Sequence, residues 1–268
     1  MNVKKYYSNA EIMTNLINAM RFRNNAFLNV IENKKYNLQN VVVSEPGHLL
    51  KNMDRFNFHE RSYNLYTSVA RYDYAKMNKD LSFPPFSYNL AKRKEQGLLF
   101  NDIANKYMLA YDFVLDFDAH DDFETCFEEV QIIKNQFDFF KVPYILRFSG
   151  RGFHMIIPHK FLPEREDIVK FLKESAMVLK QIYNLSSLDL GIYDSRRVIK
   201  TPYSFDYRSG FVCLPLTDKE FEHFNPEFCS PESVLIIPQL YVRGSLLRNG
   251  TKDNFVEFLK RRLDINVA

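Results

Sequence analysis

Long apolar runs are missing from the 268-residue sequence, and no stretch approaches the ~20 apolar residues that a bilayer-spanning helix needs. A membrane role is therefore not expected. The N-terminal "MNVKKYYSNAEIM" also lacks the apolar block of a secretory signal, so a cytoplasmic location is the expectation. Cysteine is scarce. Cys126, Cys213 and Cys229 lie far apart and form no C-x-x-C pair, which leaves no basis for a disulfide framework or a structural zinc site. Repeats, low-complexity tracts and Gly/Ser linkers are absent too. Residues 1–268 are expected to form a single domain, with an N-terminal lobe over about 1–95 and a core over about 96–268. No charge of one sign dominates: 36 Lys and Arg face 33 Asp and Glu, a net charge of +3. Any contact with nucleic acid would rest on local basic patches rather than on overall charge.

What is present is enough apolar residue, 46%, to bury a substantial core. Residues 10–35 carry helical spacing through Ile12, Leu16, Ala19, Met20, Phe27 and Val30. Strands are expected over 41–43 and 63–72, and the Pro pair in "LSFPPFSYNLAKRKEQGLLFND" marks an irregular connector. A strand over about 111–118 precedes a helix over about 122–140, capped by Asp121 or Asp122, with Phe123, Phe127, Val130, Ile133 and Phe137 on one face. Residues 142–158 read as strand, glycine turn, strand. A helix over 163–184 has Ile168, Phe171, Leu172, Leu179 and Ile182 as its buried stripe. Short strands are expected near 187–193, 196–201, 211–216 and 234–242, and a closing helix over 254–263. Without strict alternation of strand and helix, the fold class is α+β with a largely antiparallel sheet.

Three constellations carry chemistry. In "YDFVLDFDAHDD", Asp116 and Asp118 share one face of an apolar strand, while Leu115 and Phe117 take the other. An acidic outer face is the ordinary reading of such a pattern. Two carboxylates about 4 Å apart nevertheless cost up to ~4 kcal/mol at an effective dielectric near 20, and a divalent cation between them reverses the sign. His120, Asp121 and Asp122 read as helix cap and solvated turn. In "LRFSGRGFHMII", Gly150 and Gly152 allow backbone N–H groups to approach an anion, and Ser149, Arg151 and His154 add polar groups around the same turn. Arg147 shares the face of Ser149 by alternation. A hairpin tip that simply needs glycine is the plainer alternative. In "SLDLGIYDSRRVIKTPYSFDYRSGF", Asp189 sits between two leucines, where an uncompensated carboxylate is costly. Arg197, Lys200 and Arg208 follow, and a basic solvated face would also account for them.

Together these motifs resemble the archaeo-eukaryotic primase superfamily, the primase-polymerases. The pattern of that superfamily is hydrophobic-Asp-hydrophobic-Asp, then Ser-Gly-x-Gly-x-His, then hydrophobic-Asp with a basic strand and a Pro-x-Ser turn. Here they read "VLDFD", "SGRGFH" and "LDL…RRVIKTPYSFDYRSG", and "YNLYTSVARYDY" is similar to a Tyr-rich strand ahead of the first motif. The resemblance spans roughly 63–216. It implies an RRM-like catalytic core flanked by helices and packed against an N-terminal α/β lobe. It also implies two-metal nucleotidyl transfer, with Asp116, Asp118 and Asp189 holding two Mg²⁺ or Mn²⁺ ions roughly 3.5–4 Å apart. Ser149, Gly150, Arg151, Gly152, His154, Arg197, Lys200 and Arg208 would contact the phosphates of an incoming NTP or dNTP. Asp189, fifteen residues before Ser204, matches the family's third carboxylate; Asp194 is the alternative. The implied partners are single-stranded or primed DNA and an accessory or large primase subunit, or other replication, repair or defence proteins.

Two departures stand out. Relatives often carry His or Arg where this chain has Asp206, and the cysteine-rich zinc knuckle of replicative small subunits is missing. A plasmid, viral, repair or defence setting therefore fits at least as well as a replicative one. Two other readings compete with the enzyme. A degenerate relative could grip single strands through its 15% aromatic residues. An Asp-x-Asp glycosyltransferase would also use a metal, but it leaves "SGRGFH" and the basic strand unexplained.

Overall fold

The computed structural model describes residues 3–31, 34–41, 43, 45–47, 49–50, 63–81, 103–120, 122–237, 246–265 and 267. The Pro-containing connector and Asp121 lie outside them. Within this set the chain is a mixed α+β protein organised as two compact units. One comprises Met1–Ala110, Ser195–Cys213 and Pro226–Tyr241; the other comprises Tyr111–Asp194, Leu214–Asn225 and Val242–Ala268.

The first unit opens with helices α1 (Val3–Tyr7) and α2 (Ala10–Met20). Asn9 caps α2 by accepting from the N–H groups of Glu11 and Ile12, and Ile12, Leu16, Ile17 and Met20 are buried. The helix stops there. Phe22 takes a left-handed conformation (φ 62°), and residues 23–31 form β1 (Arg23–Ile31) instead of continuing the helix that the spacing of Phe27 and Val30 predicts. Asn24 and Asn25 are poor helix formers, and β1 is held on both sides, by β2 (Lys34–Val41) and β3 (Tyr63–Tyr72). The sheet order is β2-β1-β3-β4, with β4 at Met108–Tyr111, and β9 (Val198–Lys200) also pairs with β3. Helix α3 (Tyr74–Leu81) follows β3. Buried tyrosines tie the unit together: Tyr6 Oη donates to the Tyr203 carbonyl at 2.9 Å, and the Phe205 N–H donates to Tyr7 Oη at 3.0 Å.

The second unit is built on the antiparallel sheet β10-β6-β7-β5-β8, comprising β5 (Phe113–Phe117), β6 (Ile145–Phe148), β7 (Phe153–Ile157), β8 (Leu188–Asp189) and β10 (Leu214–Pro215). Helix α4 (Phe123–Phe139) begins where the sequence places it, with the Asp122 carboxylate accepting from the Thr125 N–H. Its aromatic stripe meets Phe153, Phe221 and Phe224, with Phe127 and Phe221 centroids 4.7 Å apart. At the far end Phe137 packs on Tyr144 and Phe258. Helix α5 runs Ile168–Tyr183, shorter than the predicted 163–184: residues 163–165 are irregular and 166–167 form a turn, beside an Arg165–Asp167 ion pair. Phe171, Leu172 and Leu179 are buried as expected, but Ile182 is 48% exposed in the last turn. The strand expected over 187–193 is only two residues long and passes into a 3₁₀ turn over Leu190–Ile192. Short helix α6 (Asp218–Glu222) follows in this unit, whereas α7 (Pro231–Leu235) belongs to the first unit. The latter replaces the start of the strand expected at 234–242, because Ser230 and Pro231 supply an N-cap and a first-turn proline. Residues 238–242 lie outside the described set. Helix α8 (Lys252–Leu263) closes the second unit.

Candidate metal centre

Register in the second unit's sheet sets four polar residues in one cross-strand row. Arg147 on β6 lies opposite His154 on β7, His154 opposite Asp116 on β5, and Asp116 opposite Asp189 on β8. Directly opposed residues share a face, so the side chains stand in line. Asp118, two residues beyond Asp116, returns to that face by alternation, and its backbone N–H donates to the Ser187 carbonyl at 2.9 Å. One carboxylate oxygen each from Asp116, Asp118 and Asp189 can be chosen so that all lie within 4.8 Å of one another. Asp194 is half-buried and falls outside this group.

The donor set fits a hard divalent cation. All three ligands are carboxylate oxygens, the chemistry that suits Mg²⁺ or Mn²⁺. Their mutual repulsion is visible in Asp118, whose carboxyl is raised above its ordinary value by burial and then by the Asp116 charge. A bound cation would relieve that repulsion. Asp189 is the most exposed of the three and accepts from the Gly191 N–H at 2.7 Å. An open hollow of about 410 Å³ lies against Asp118 and Asp189, walled also by His120, Lys180 and Ser187.

The Arg147–His154–Asp116 contacts fix a tautomer. Arg147 Nε donates to His154 Nδ1 at 3.0 Å, so that nitrogen carries a lone pair. The remaining proton resides on Nε2, 3.2 Å from Asp116 Oδ1. His154 is only 3% exposed, and burial lowers its pKa against the pull of Asp116. A neutral imidazole thus presents an N–H to a carboxylate of the acidic cluster.

The glycine turn packs directly on the acidic strand. Gly150 has φ 103°, a conformation that side chains avoid. A Cβ on Gly152 would overlap the Phe117 carbonyl oxygen and crowd the Ala119 nitrogen. Ser149 is buried, its N–H donating to the Gly152 carbonyl and its Oγ accepting from the Gly152 N–H. Arg151 is exposed at the tip, and its charge acts on Asp118.

The remaining basic residues belong to the first unit. Lys200 is buried in an ion pair with the buried Asp206 at 2.5 Å. That pairing gives the buried Asp206 carboxylate its compensating charge. The Asp206 carboxylate also accepts from the Arg208 N–H, while the exposed Arg208 guanidinium bonds Tyr207 Oη at 3.0 Å. Arg197 is exposed, with its carbonyl accepting from the Val69 N–H. Ser204, the serine of the Pro-x-Ser turn, accepts from the Leu65 N–H at 2.6 Å.

Glu129 on α4 escapes a motif-based reading. Its signal is positional: with Cys126, Val130 and Ile133 it lies on the buried face of α4, where a carboxylate needs partners.

No known family model matches the chain, and no curated protein matches it in sequence. Among solved structures it is similar to the polymerase domain of Mycobacterium tuberculosis ligase D, determined in complex with DNA. The TM-score is 0.52 at 12% identity, covering 97% of this chain and 90% of that one. The likeness establishes the fold: an α+β polymerase-domain architecture of antiparallel sheets and helices.

Proposed function

We propose that the protein is a template-directed nucleotidyltransferase of the primase-polymerase kind. It joins a 3′-hydroxyl to the α-phosphorus of an incoming NTP or dNTP and releases pyrophosphate. The observation that carries this reading is the convergence of Asp116, Asp118 and Asp189 within 4.8 Å, in a chain with the fold of a polymerase domain. These three aspartates would hold Mg²⁺ or Mn²⁺, which when bound lowers the pKa of the attacking hydroxyl and neutralises charge on the leaving pyrophosphate.

The chain's own groups divide the remaining tasks. His154, kept neutral by burial and by the Arg147 hydrogen bond, donates to Asp116 and would so orient that carboxylate for a metal. The Ser149–Gly152 turn, with Arg151 at its tip, is assigned to the triphosphate. Arg197, Lys200 and Arg208, on the first unit, are phosphate candidates by their motif, and Lys200 meets a phosphate only by sharing or leaving Asp206. DNA, primed or single-stranded, is the proposed template.

The test is incubation with labelled nucleotides and Mg²⁺ or Mn²⁺ on primed and on unprimed single-stranded templates, followed by sizing of the products. Metal-dependent extension is expected, abolished in Asp116→Ala and Asp118→Ala while circular dichroism stays native. Products on the unprimed strand would assign primer synthesis. Full activity in either variant contradicts the reading.

A further inference from the structure

β8 presents a physical problem. It is a two-residue strand at the edge of its sheet, and its second residue, Asp189, lies directly opposite Asp116. Like charges directly opposed across a ladder are destabilising, and a ladder this short has few hydrogen bonds with which to resist. Something else must hold Asp189 at the cluster.

The restraint comes from the helix behind. Glu129 Oε1 accepts from the Ser186 N–H at 2.6 Å and from Ser186 Oγ at 2.7 Å. Glu129 Oε2 accepts from the Ser187 N–H at 2.9 Å and from Ser187 Oγ at 2.5 Å. One buried carboxylate thereby takes four hydrogen bonds from the two residues that lead into β8. Burial alone would raise the Glu129 carboxyl, but the bonds from Ser187 and Ser186 outweigh it and hold the group below its usual range. From the other side, Lys180 Nζ donates to the Leu188 carbonyl at 2.5 Å. The Ser187 carbonyl accepts from the Asp118 N–H, a backbone bond that any residue at 187 can make.

We infer that Glu129 is a positioning residue for the metal centre: by clamping Ser186 and Ser187 it keeps Asp189 within coordinating reach of Asp116 and Asp118 before any cation arrives. This rests on the metal-centre reading and adds to it a residue that touches neither metal nor nucleotide. Glutamine at 129 would turn an N–H₂ group toward the serine donors and lose at least part of the clamp.

The test is Mn²⁺ affinity, read from the electron paramagnetic resonance of free Mn²⁺, for wild type, Glu129→Gln, Asp189→Asn and the double variant. Outer-shell partners of metal ligands typically contribute 10–100-fold in affinity, so Glu129→Gln is expected to weaken Mn²⁺ binding about tenfold with the thermal transition still cooperative. Because Glu129 acts through Asp189, the double variant should bind no more than about twofold weaker than Asp189→Asn alone. Losses that multiply, or wild-type affinity in Glu129→Gln beside a weakened Asp189→Asn, would overturn the positioning role. Wild-type affinity in Asp189→Asn would instead remove the metal-centre reading, and the clamp's purpose with it. Should Glu129→Gln fail to fold, Ser186→Ala combined with Ser187→Ala removes two of the four donors. It is expected to weaken Mn²⁺ binding severalfold, and unchanged affinity there overturns the inference equally.

Discussion

Asp118 is held in a conflict that a bound cation would relieve: it is half-buried, and its carboxyl is raised by burial and then by Asp116, with the nearby Arg151 charge opposing that only in part. Neutralising it should therefore relieve the metal-free protein. Asp118→Asn is expected to be more stable than wild type in EDTA at neutral pH, on the order of 1 kcal/mol for a partly solvated pair. Added Mn²⁺ should reverse the ranking. At a hundredfold excess over Kd a single site stabilises by about 2.7 kcal/mol, and the variant should show little of this. Thermal melts with EDTA and with Mn²⁺ check both halves; equal Mn²⁺ stabilisation of both proteins would contradict the site. Asp206 raises the opposite case, a buried carboxylate already matched by Lys200. Removing one member of such a pair leaves a charge uncompensated, so Asp206→Asn is expected to cost about 3–5 kcal/mol in urea unfolding. A loss under 1 kcal/mol would mean that Lys200 readily finds another partner.

Among the elements, the hairpin β6–β7 is the piece whose exact shape the centre depends on. Gly152 lies so close to β5 that any side chain must displace the Phe117 carbonyl, between the two aspartates in sequence. Gly152→Ala is expected to cost about 1–3 kcal/mol, as overpacking does, and to weaken Mn²⁺ binding by shifting β5. Unfolding curves and metal titration of the same sample test this, and a wild-type result in both would show that the turn gives way freely. This hairpin, β5 and α4 were legible in the sequence because each carries its own local signal: alternation, paired glycines, an aspartate cap before a phenylalanine stripe. β1 was not. Phe27 follows Met20 at a helical interval, yet two flanking strands decide its conformation, and such pairings leave no local trace. Asp189 could be picked out as an aspartate between leucines, but that its strand is two residues long and clamped from α4 could not, because Glu129 and Ser186 are 57 residues apart. The Lys200–Asp206 pair was hidden for a similar reason, since only the intervening turn brings the two charges together.

At the scale of the whole molecule, both units are closed around aromatic cores, and the three cysteines are sealed inside them. Cys126, Cys213 and Cys229 are all buried and in no disulfide, and burial pushes the Cys126 thiol up to about 12. Thiolate is the reactive form. A disulfide reagent at pH 8 should therefore find no fast thiol in the native protein and three after denaturation; a fast native equivalent would reveal an opening on that timescale. Among the described residues no helix is long and apolar enough to cross a membrane. The fold is that of a polymerase domain, and the acidic row stands on its second sheet, held in register from strand to strand. Anomalous diffraction from a crystal soaked in Mn²⁺ tests that centre most directly. The expected result is manganese density at about 2.0–2.2 Å from carboxylate oxygens of Asp116, Asp118 and Asp189 together. Manganese bound elsewhere, with no peak in coordination range of these three, would contradict the account.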